Sequence, residues 1–119
     1  MSIFEKLNGR KVDVNYETGY HFIIEYLSES ELQWEALAKT AEGAPKVEKE
    51  PYSSYEIGEG IYNVNWIEES GLVVSQIADL KNGKVYAFMT WPDEITITIL
   101  HYFFIINLIK SLAFSSIIW

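Results

Sequence analysis

The segment from Gly60 to Trp91 constrains the fold of this chain more than any other part of the sequence. Apolar and polar residues alternate from Ile61 to Trp66, and the turn sequence Glu-Glu-Ser-Gly follows. A second run ends at Leu80, Lys-Asn-Gly turns the chain again, and a third run follows. Asn-Gly between two alternating runs is the strongest short-range signal for a β-hairpin. The segment therefore predicts a three-stranded antiparallel meander.

The residues before the meander predict further strands joined by tight turns. Lys11 to Tyr16 and Tyr20 to Leu27 alternate with a period of two residues, which is typical of half-buried strands. Glu31 to Leu37 is predicted as a third strand, although a helix over Glu31 to Lys39 is a competing interpretation because Glu, Leu, Gln and Ala favour helix. Tyr52 to Ile57 is predicted as a short strand after a loop.

These segments add up to about seven short strands at near-regular spacing, which favours a sandwich or a barrel. Consecutive hairpins favour a small up-and-down antiparallel barrel, because closure removes exposed sheet edges. A short helical turn over Ser2 to Leu7 precedes the strands, and Lys39 to Glu50 is the one loop of any length. With 119 residues the chain supports one domain. We place the barrel in residues 1–100 and an atypical apolar tail in residues 101–119.

The tail leaves three interpretations open. Ile95 to Ile99 alternates with β-branched residues and could be a closing strand, whereas Leu100 to Trp119 is almost continuously apolar, with Lys110 as its charged residue. Such a run approaches the roughly 20 residues that a membrane-spanning helix needs. It is also compatible with a buried element or an oligomer contact, such as a homodimer interface. The third interpretation is a C-terminus altered by a change of reading frame.

Composition excludes several classes of function. The net charge of −8 argues against nucleic acid as a partner, because phosphate binding relies on clustered Lys and Arg. There is no cysteine, so thiolate chemistry and cysteine-based zinc sites are excluded. His21 and His101 are too far apart in sequence to form a metal-ligand motif, and we expect no metal and no cofactor. We expect a cytoplasmic protein, or a membrane-associated one if the tail inserts.

Glu68 and Tyr16 are the candidate catalytic residues. Inward and outward positions alternate in a small barrel, so Glu68 points inward if Trp66 does. A carboxylate in an aromatic cavity has a raised pKa and could act as a general acid or base. Tyr16 ends the first strand, where its hydroxyl could donate a hydrogen bond to a ligand. The alternatives are a solvated Glu68-Glu69 pair in a turn and a tyrosine that only packs in the core.

Aromatic residues at inward positions predict the walls of a pocket for a flat ligand. The candidates for ligand binding are Tyr20, Trp34, Tyr62, Trp66 and Phe88. Packing in the core is the alternative role for such residues in any β-rich protein. His21 is predicted to face outward. Asp79 is predicted either to cap the Lys81-Asn82-Gly83 turn or to face the barrel mouth.

The run GIYNVNWIEESGLVVSQIADLKNGKVYAF resembles the core of the MoaF-like proteins and of the related bacterial phenolic acid decarboxylases, which are lipocalin-like (calycin) barrels. The N-terminal stretch LNGRKVDVNYETGYHFIIEY resembles their first hairpin. Together the matches cover Leu7 to Trp91 except for the middle loop. The resemblance implies a calycin barrel with a ligand in its interior.

The decarboxylases hold the substrate carboxylate with two tyrosines of the first strand and transfer a proton with a glutamate after the meander tryptophan. Tyr16 matches the second tyrosine and Glu68 matches the glutamate, but Val14 stands at the first tyrosine. Their arginine has no counterpart, because the middle loop offers lysines only.

The sequence therefore favours a MoaF-like barrel that binds a small organic molecule, such as an aromatic one, in its interior. The identity of this ligand stays open. A lyase of the phenolic acid decarboxylase type acting on a hydroxycinnamic acid is the first alternative. A membrane-tethered or structural barrel with a filled interior is the second, because eight strands leave room for side chains or for one small ligand.

Overall fold

The computed structural model describes residues 1–16, 19–38, 43, 45–92 and 99–112, and for residues 91–92 and 99–112 it describes the backbone. One short helix, α1, spans Ile3–Leu7. The strands, in chain order, are β1 (Lys11–Tyr16), β2 (His21–Tyr26), β3 (Glu31–Ala38), β4 (Val47–Gly58), β5 (Ile61–Ile67), β6 (Val73–Asp79), β7 (Lys84–Pro92) and β8 (Ile99–Leu112).

Each strand pairs antiparallel with the next one along the chain, and β8 pairs with both β7 and β1 to close the barrel. The predicted all-β, up-and-down barrel with a short N-terminal helical turn is confirmed. Closure follows from the pattern, since strands joined by tight turns must be neighbours and a closed ring leaves no unpaired edge.

The predicted meander is present in full. β5 pairs with β6 from Ile61–Asp79 to Ile67–Val73, and β6 pairs with β7 from Val73–Thr90 to Asp79–Lys84. The helical interpretation of Glu31 to Lys39 is wrong, because Glu31–Ala38 forms β3 and pairs with β2 and β4 on its two sides. Strand pairing on both sides outweighs the local helix propensity of this segment.

β4 is much longer than the sequence predicted. It spans Val47–Gly58 rather than Tyr52 to Ile57, so the last four residues of the predicted loop, 47–50, are strand. Glu31 pairs with Pro51 and Glu35 pairs with Val47, which extends the ladder into the charged part of that loop. The residues of this segment are mostly charged, but they still alternate between the outer and inner faces of the sheet. Glu50 and Tyr52 are both buried on the inner face.

Helix α1 closes one end of the barrel. The Ser2 side chain accepts a hydrogen bond from the Glu5 backbone N–H, and Glu5 Oε1 accepts one from the Ser2 N–H, which forms a capping box. Ile3 and Leu7 are each 1% exposed beneath the helix. Tyr62 Oη, at the start of β5, donates to the Met1 carbonyl oxygen at 2.8 Å.

Apolar side chains fill the half of the barrel next to α1. Alternation along the strands turns these residues inward, as the buried positions of β5 illustrate. The filling side chains include Val12, Tyr26, Leu32, Tyr52, Val64, Ala78, Leu80 and Val85. The other half of the interior contains a cavity, so the alternative of a barrel filled along its whole length is wrong.

The backbone of β8 crosses the predicted division between residues 100 and 101, because the strand spans Ile99–Leu112. Where the chain is described, the apolar segment is thus a barrel strand rather than the membrane helix considered above. Most of the predicted strand from Ile95 to Ile99, and residues 113–119, lie outside the described residues. Among the helices that the structure describes, none has the length and apolar character needed to span a bilayer.

Candidate ligand-binding site

A cavity of about 220 Å³ lies in the end of the barrel opposite α1. It forms where β1 and β5 end and where β2 and β6 begin. Among the side chains that the structure describes, its walls combine aromatic and aliphatic ones with the polar groups of Tyr16, Glu68 and Gln76. The described lining residues are Tyr16, Tyr20, Phe22, Ile24, Trp34, Trp66, Glu68, Leu72, Val74, Gln76 and Met89.

Tyr16 and Gln76 meet on the inner wall of this cavity. Tyr16 is the last residue of β1 and is 6% exposed, while Gln76 lies on β6 and is 3% exposed. Gln76 Nε2 donates to Tyr16 Oη at 3.4 Å, across the barrel interior. Burial raises the pKa of Tyr16 far above its usual value, so the phenol stays neutral at physiological pH.

Glu68 lines the same cavity from the start of the turn between β5 and β6. Its backbone N–H donates to the Leu72 carbonyl at 2.8 Å, and the Gly71 N–H donates to the Glu68 carbonyl at 2.8 Å. The turn therefore fixes the backbone of Glu68 while its side chain continues the inward series of β5. Trp66 Nε1 donates to Glu68 Oε2 at 3.2 Å.

The environment of Glu68 gives its carboxyl group unusual acid–base behaviour. Burial raises the pKa of Glu68 to about 7, against the opposing effect of the Trp66 hydrogen bond, and the charge of Glu48 adds to the increase. Protonated and ionised forms of Glu68 are then both populated at neutral pH. This carboxyl group can donate or accept a proton, and it can bind a ligand in either form.

Two further carboxylates face the same end of the barrel from β4. Glu50 is 3% exposed, and its Oε2 accepts a hydrogen bond from Trp34 Nε1 at 3.0 Å. Burial raises the pKa of Glu50 well above its usual value, and a hydrogen bond with Glu48 together with the charges of Glu48 and Glu68 raises it further. One carboxylate oxygen from each of the three residues lies within 4.8 Å of the other two.

Glu48 Oε1 is buried and accepts no hydrogen bond from any residue that the structure describes. Carboxylate oxygens are ligands for hard cations, so Glu48, Glu50 and Glu68 could hold a metal ion. The same carboxylate oxygens can accept hydrogen bonds from a protonated amine.

Sequence reasoning missed Glu48, Glu50 and Gln76. The two glutamates fell in the segment predicted as a loop, although their spacing continues the inward period that includes Tyr52. Gln76 lies between the buried residues Val74 and Ala78 of β6. A polar residue at an inward strand position was the signal that could have identified it.

The predicted ligand-binding aromatics divide into two groups. Tyr20, Trp34 and Trp66 line the cavity, together with the predicted catalytic pair Tyr16 and Glu68. Tyr62 and Phe88 do not line it, and their predicted place in its walls is corrected by the structure. Tyr62 points inward but lies at the opposite end, where it contacts Met1. Phe88 is 39% exposed on the outer face, because its neighbours Ala87 and Met89 occupy the inward positions.

Two other predicted residues have structural partners. His21 faces outward as predicted, and its Nε2 lies 2.5 Å from Asp13 Oδ1. Asp79 caps the turn that follows β6: its Oδ1 accepts from the Asn82 N–H at 2.9 Å and its Oδ2 accepts from Asn82 Nδ2 at 2.8 Å. Neither residue lines the cavity.

Comparisons with known proteins agree with the barrel. The sequence profile of the MoaF-like family matches residues 8–100. No curated protein matches the sequence of this chain. A solved structure from Burkholderia vietnamiensis, provisionally named a beta-lactamase, superimposes with a TM-score of 0.69 over 87% of this chain and 93% of that chain. The two sequences are 15% identical, so the likeness extends to the fold and not to the activity in that name.

Proposed function

We propose that this chain, which belongs to the MoaF-like family, binds a small organic molecule with a flat ring inside its barrel. The single observation that carries the proposal is the cavity of about 220 Å³, which contains Tyr16 and Glu68 in one chamber. In a barrel of eight strands the interior is usually just wide enough for side chains to fill or for one small ligand.

The size of the cavity limits the ligand. An engineered protein cavity of about 150 Å³ is large enough to bind benzene, whereas sites for drug-sized ligands start at about 300 Å³. A cavity of about 220 Å³ therefore suits a molecule with one ring and a short substituent. The aromatic side chains Tyr20, Phe22, Trp34 and Trp66 supply ring surfaces against which such a molecule can pack.

The polar groups of the cavity give the ligand an orientation. The hydroxyl of Tyr16 and the amide of Gln76 offer donors and acceptors on one wall, and the Glu68 carboxyl group offers a second polar position. Few polar groups within an apolar chamber are typical of small-molecule sites, because each buried polar group must be paired by the ligand.

Thermal unfolding with a panel of one-ring acids, amides and amines tests the proposal. A ligand that binds the folded state stabilises it by about 2.7 kcal/mol at a concentration of 100 Kd, which raises Tm by several degrees. Leu72→Trp, which introduces a large side chain into the cavity wall, should abolish the shift. Val73→Trp is the matched control, because Val73 is the next residue along the chain and its side chain faces outward. A panel without any shift contradicts the proposal.

A lyase of the phenolic acid decarboxylase type is the second candidate, and the raised pKa of Glu68, about 7, favours it. Val14 argues against it, since it is buried at the position of the first carboxylate-binding tyrosine and has no hydrogen-bond donor. Release of carbon dioxide from ferulate or coumarate, lost in Glu68→Gln but kept in Glu69→Gln, would establish this activity. If the protein turns over no hydroxycinnamate, the lyase is excluded as a candidate function.

A further inference from the structure

We infer that the ligand carries a positively charged nitrogen group beside its ring, such as an amidinium or a primary ammonium, and that this group binds at Glu68 with Glu48 and Glu50 behind it. The inference rests on the proposed function and names the chemical class that the same cavity selects. The expected ligand is thus a cation, whereas the hydroxycinnamate substrates considered above are anions.

The first argument is the charge of the cavity. Glu68 lines it, and carboxylate oxygens of Glu48 and Glu50 lie within 4.8 Å of a Glu68 oxygen. In the part of the chain that the structure describes, the close contacts between basic and acidic groups join Met1 to Glu56, Lys11 to Glu25 and His21 to Asp13, and none of them involves these three carboxylates. Those of the carboxyl groups that are ionised would repel an anionic ligand, whereas a bound cation would be attracted to them and would favour their ionised forms.

The second argument is a hydrogen-bond acceptor without a donor. Glu48 Oε1 is shielded from solvent and accepts no hydrogen bond within the described part of the chain. A buried carboxylate oxygen without a donor is unfavourable, because no hydrogen bond compensates for its loss of hydration. A ligand N–H group that reaches past Glu68 would supply this bond. An amidinium has several N–H donors in one plane, which allows it to contact more than one carboxylate.

The third argument favours an organic cation over a bare metal ion. The cavity that Glu68 lines also has aromatic side chains in its walls, which can pack against a ring and attract an organic cation through their π-electrons. They are those of Tyr20, Phe22, Trp34 and Trp66. A metal ion would gain nothing from these walls and would leave the cavity of about 220 Å³ without a function. A ring with an attached cationic group uses both the aromatic walls and the carboxylates.

Three probes of nearly equal size and different charge test the inference: benzamidine (cation), benzamide (neutral) and benzoate (anion). Their dissociation constants are measured by protein NMR titration at pH 8, where Glu68 is largely ionised. We expect benzamidine to bind about tenfold more tightly than benzamide, and benzoate to bind most weakly. The preference for benzamidine should decrease at pH 6, because Glu68 becomes protonated.

Two variants assign the preference to the carboxylate. In Glu68→Gln the ratio between benzamide and benzamidine dissociation constants should fall to about one, while benzamide itself still binds. Glu69→Gln is the matched control, because the exposed neighbour loses the same charge without changing the cavity. If Glu68→Gln does not fold, Glu48→Gln provides the second measurement, with a smaller loss of preference expected.

The outcomes separate the two proposals. Benzamide or benzoate that binds as tightly as benzamidine overturns the charge selectivity but leaves the binding function in place. Calcium that binds at micromolar concentration, with no preference among the three probes, overturns the organic cation in favour of a metal ion. Absence of binding by all three probes also overturns the inference, and the wider thermal panel then decides the proposed function separately.

Discussion

The indole N–H of Trp34 donates to Oε2 of Glu50 at 3.0 Å, and the two side chains are 7% and 3% exposed. A second pair repeats this arrangement at the end of β5, where Trp66 donates to Glu68 at 3.2 Å. Both indoles line the cavity. The two carboxyl groups therefore also orient the two indole rings that line the cavity, because an indole has one N–H donor with a fixed direction.

Trp34→Phe should destabilise the protein more than Trp66→Phe. Glu50 is 3% exposed, so Trp34→Phe removes the indole donor from a buried carboxyl group, at a cost of about 1–3 kcal/mol beyond the loss of packing. Glu68 lines the cavity and can be hydrated once its indole donor is removed. Trp66→Phe should therefore lower the free energy of unfolding by less. Urea unfolding of the two variants measures the difference. Equal losses would mean that the buried hydrogen bond to Glu50 contributes nothing specific.

Stability should fall as the pH rises from about 4.5 through about 7. The pKa of Glu68 is raised in the folded protein, and that of Glu50 is raised as well, so the folded protein retains protons that the unfolded chain releases. Their stabilising effect is complete below the unfolded pKa and is lost as the pH passes the folded pKa.

The expected loss due to Glu68 is on the order of 1–2 kcal/mol, after allowance for screening by solvent. Urea unfolding at pH 5, 6, 7 and 8 measures the slope, and Glu68→Gln should reduce it. Glu69→Gln should leave the slope unchanged. A stability that rises with pH across this interval would show that these carboxylates are not held in a desolvated environment.

Asp79→Ala should lower the free energy of unfolding by about 1 kcal/mol, because Asp79 accepts two hydrogen bonds from Asn82 in the turn after β6. Asp79→Asn keeps an acceptor oxygen and should lose less. Chemical unfolding measures both effects, with Glu59→Ala in the turn between β4 and β5 as an exposed control. A loss in Glu59→Ala as large as that in Asp79→Ala would contradict a specific role for the cap.

Leu7→Ala should cost about 2–5 kcal/mol, because the side chain is 1% exposed beneath α1 and its removal leaves a cavity in the filled half of the barrel. Lys6→Ala, on the exposed side of the same helix, should stay within about 0.5 kcal/mol of the parent protein. The dissociation constant of a ligand of the site should not change in Leu7→Ala at temperatures where the variant is folded. A change would show that the two ends of the barrel are coupled.

Most of the fold was predictable from the sequence. The positions of β1 and of the meander strands follow from alternation and from the Asn82-Gly83 turn, which are local properties of the chain. The N-terminal part of β4 was not predictable in this way. Glu48, Lys49 and Glu50 have low β-propensity, and they form strand because β3 offers paired backbone groups beside them.

For β1 and β5 the sequence by itself determined which side of the strand faces inward, and hence that Tyr16 and Glu68 point into one chamber. Only the tertiary structure decided which inward residues meet. Tyr16 and Gln76 are separated by 60 positions, and their hydrogen bond depends on how far the strands are staggered when the barrel closes. The meeting of Glu48 and Glu50 with Glu68 depends on the same stagger. A period of two residues specifies a face, whereas contact across the interior is specified by closure of the whole sheet.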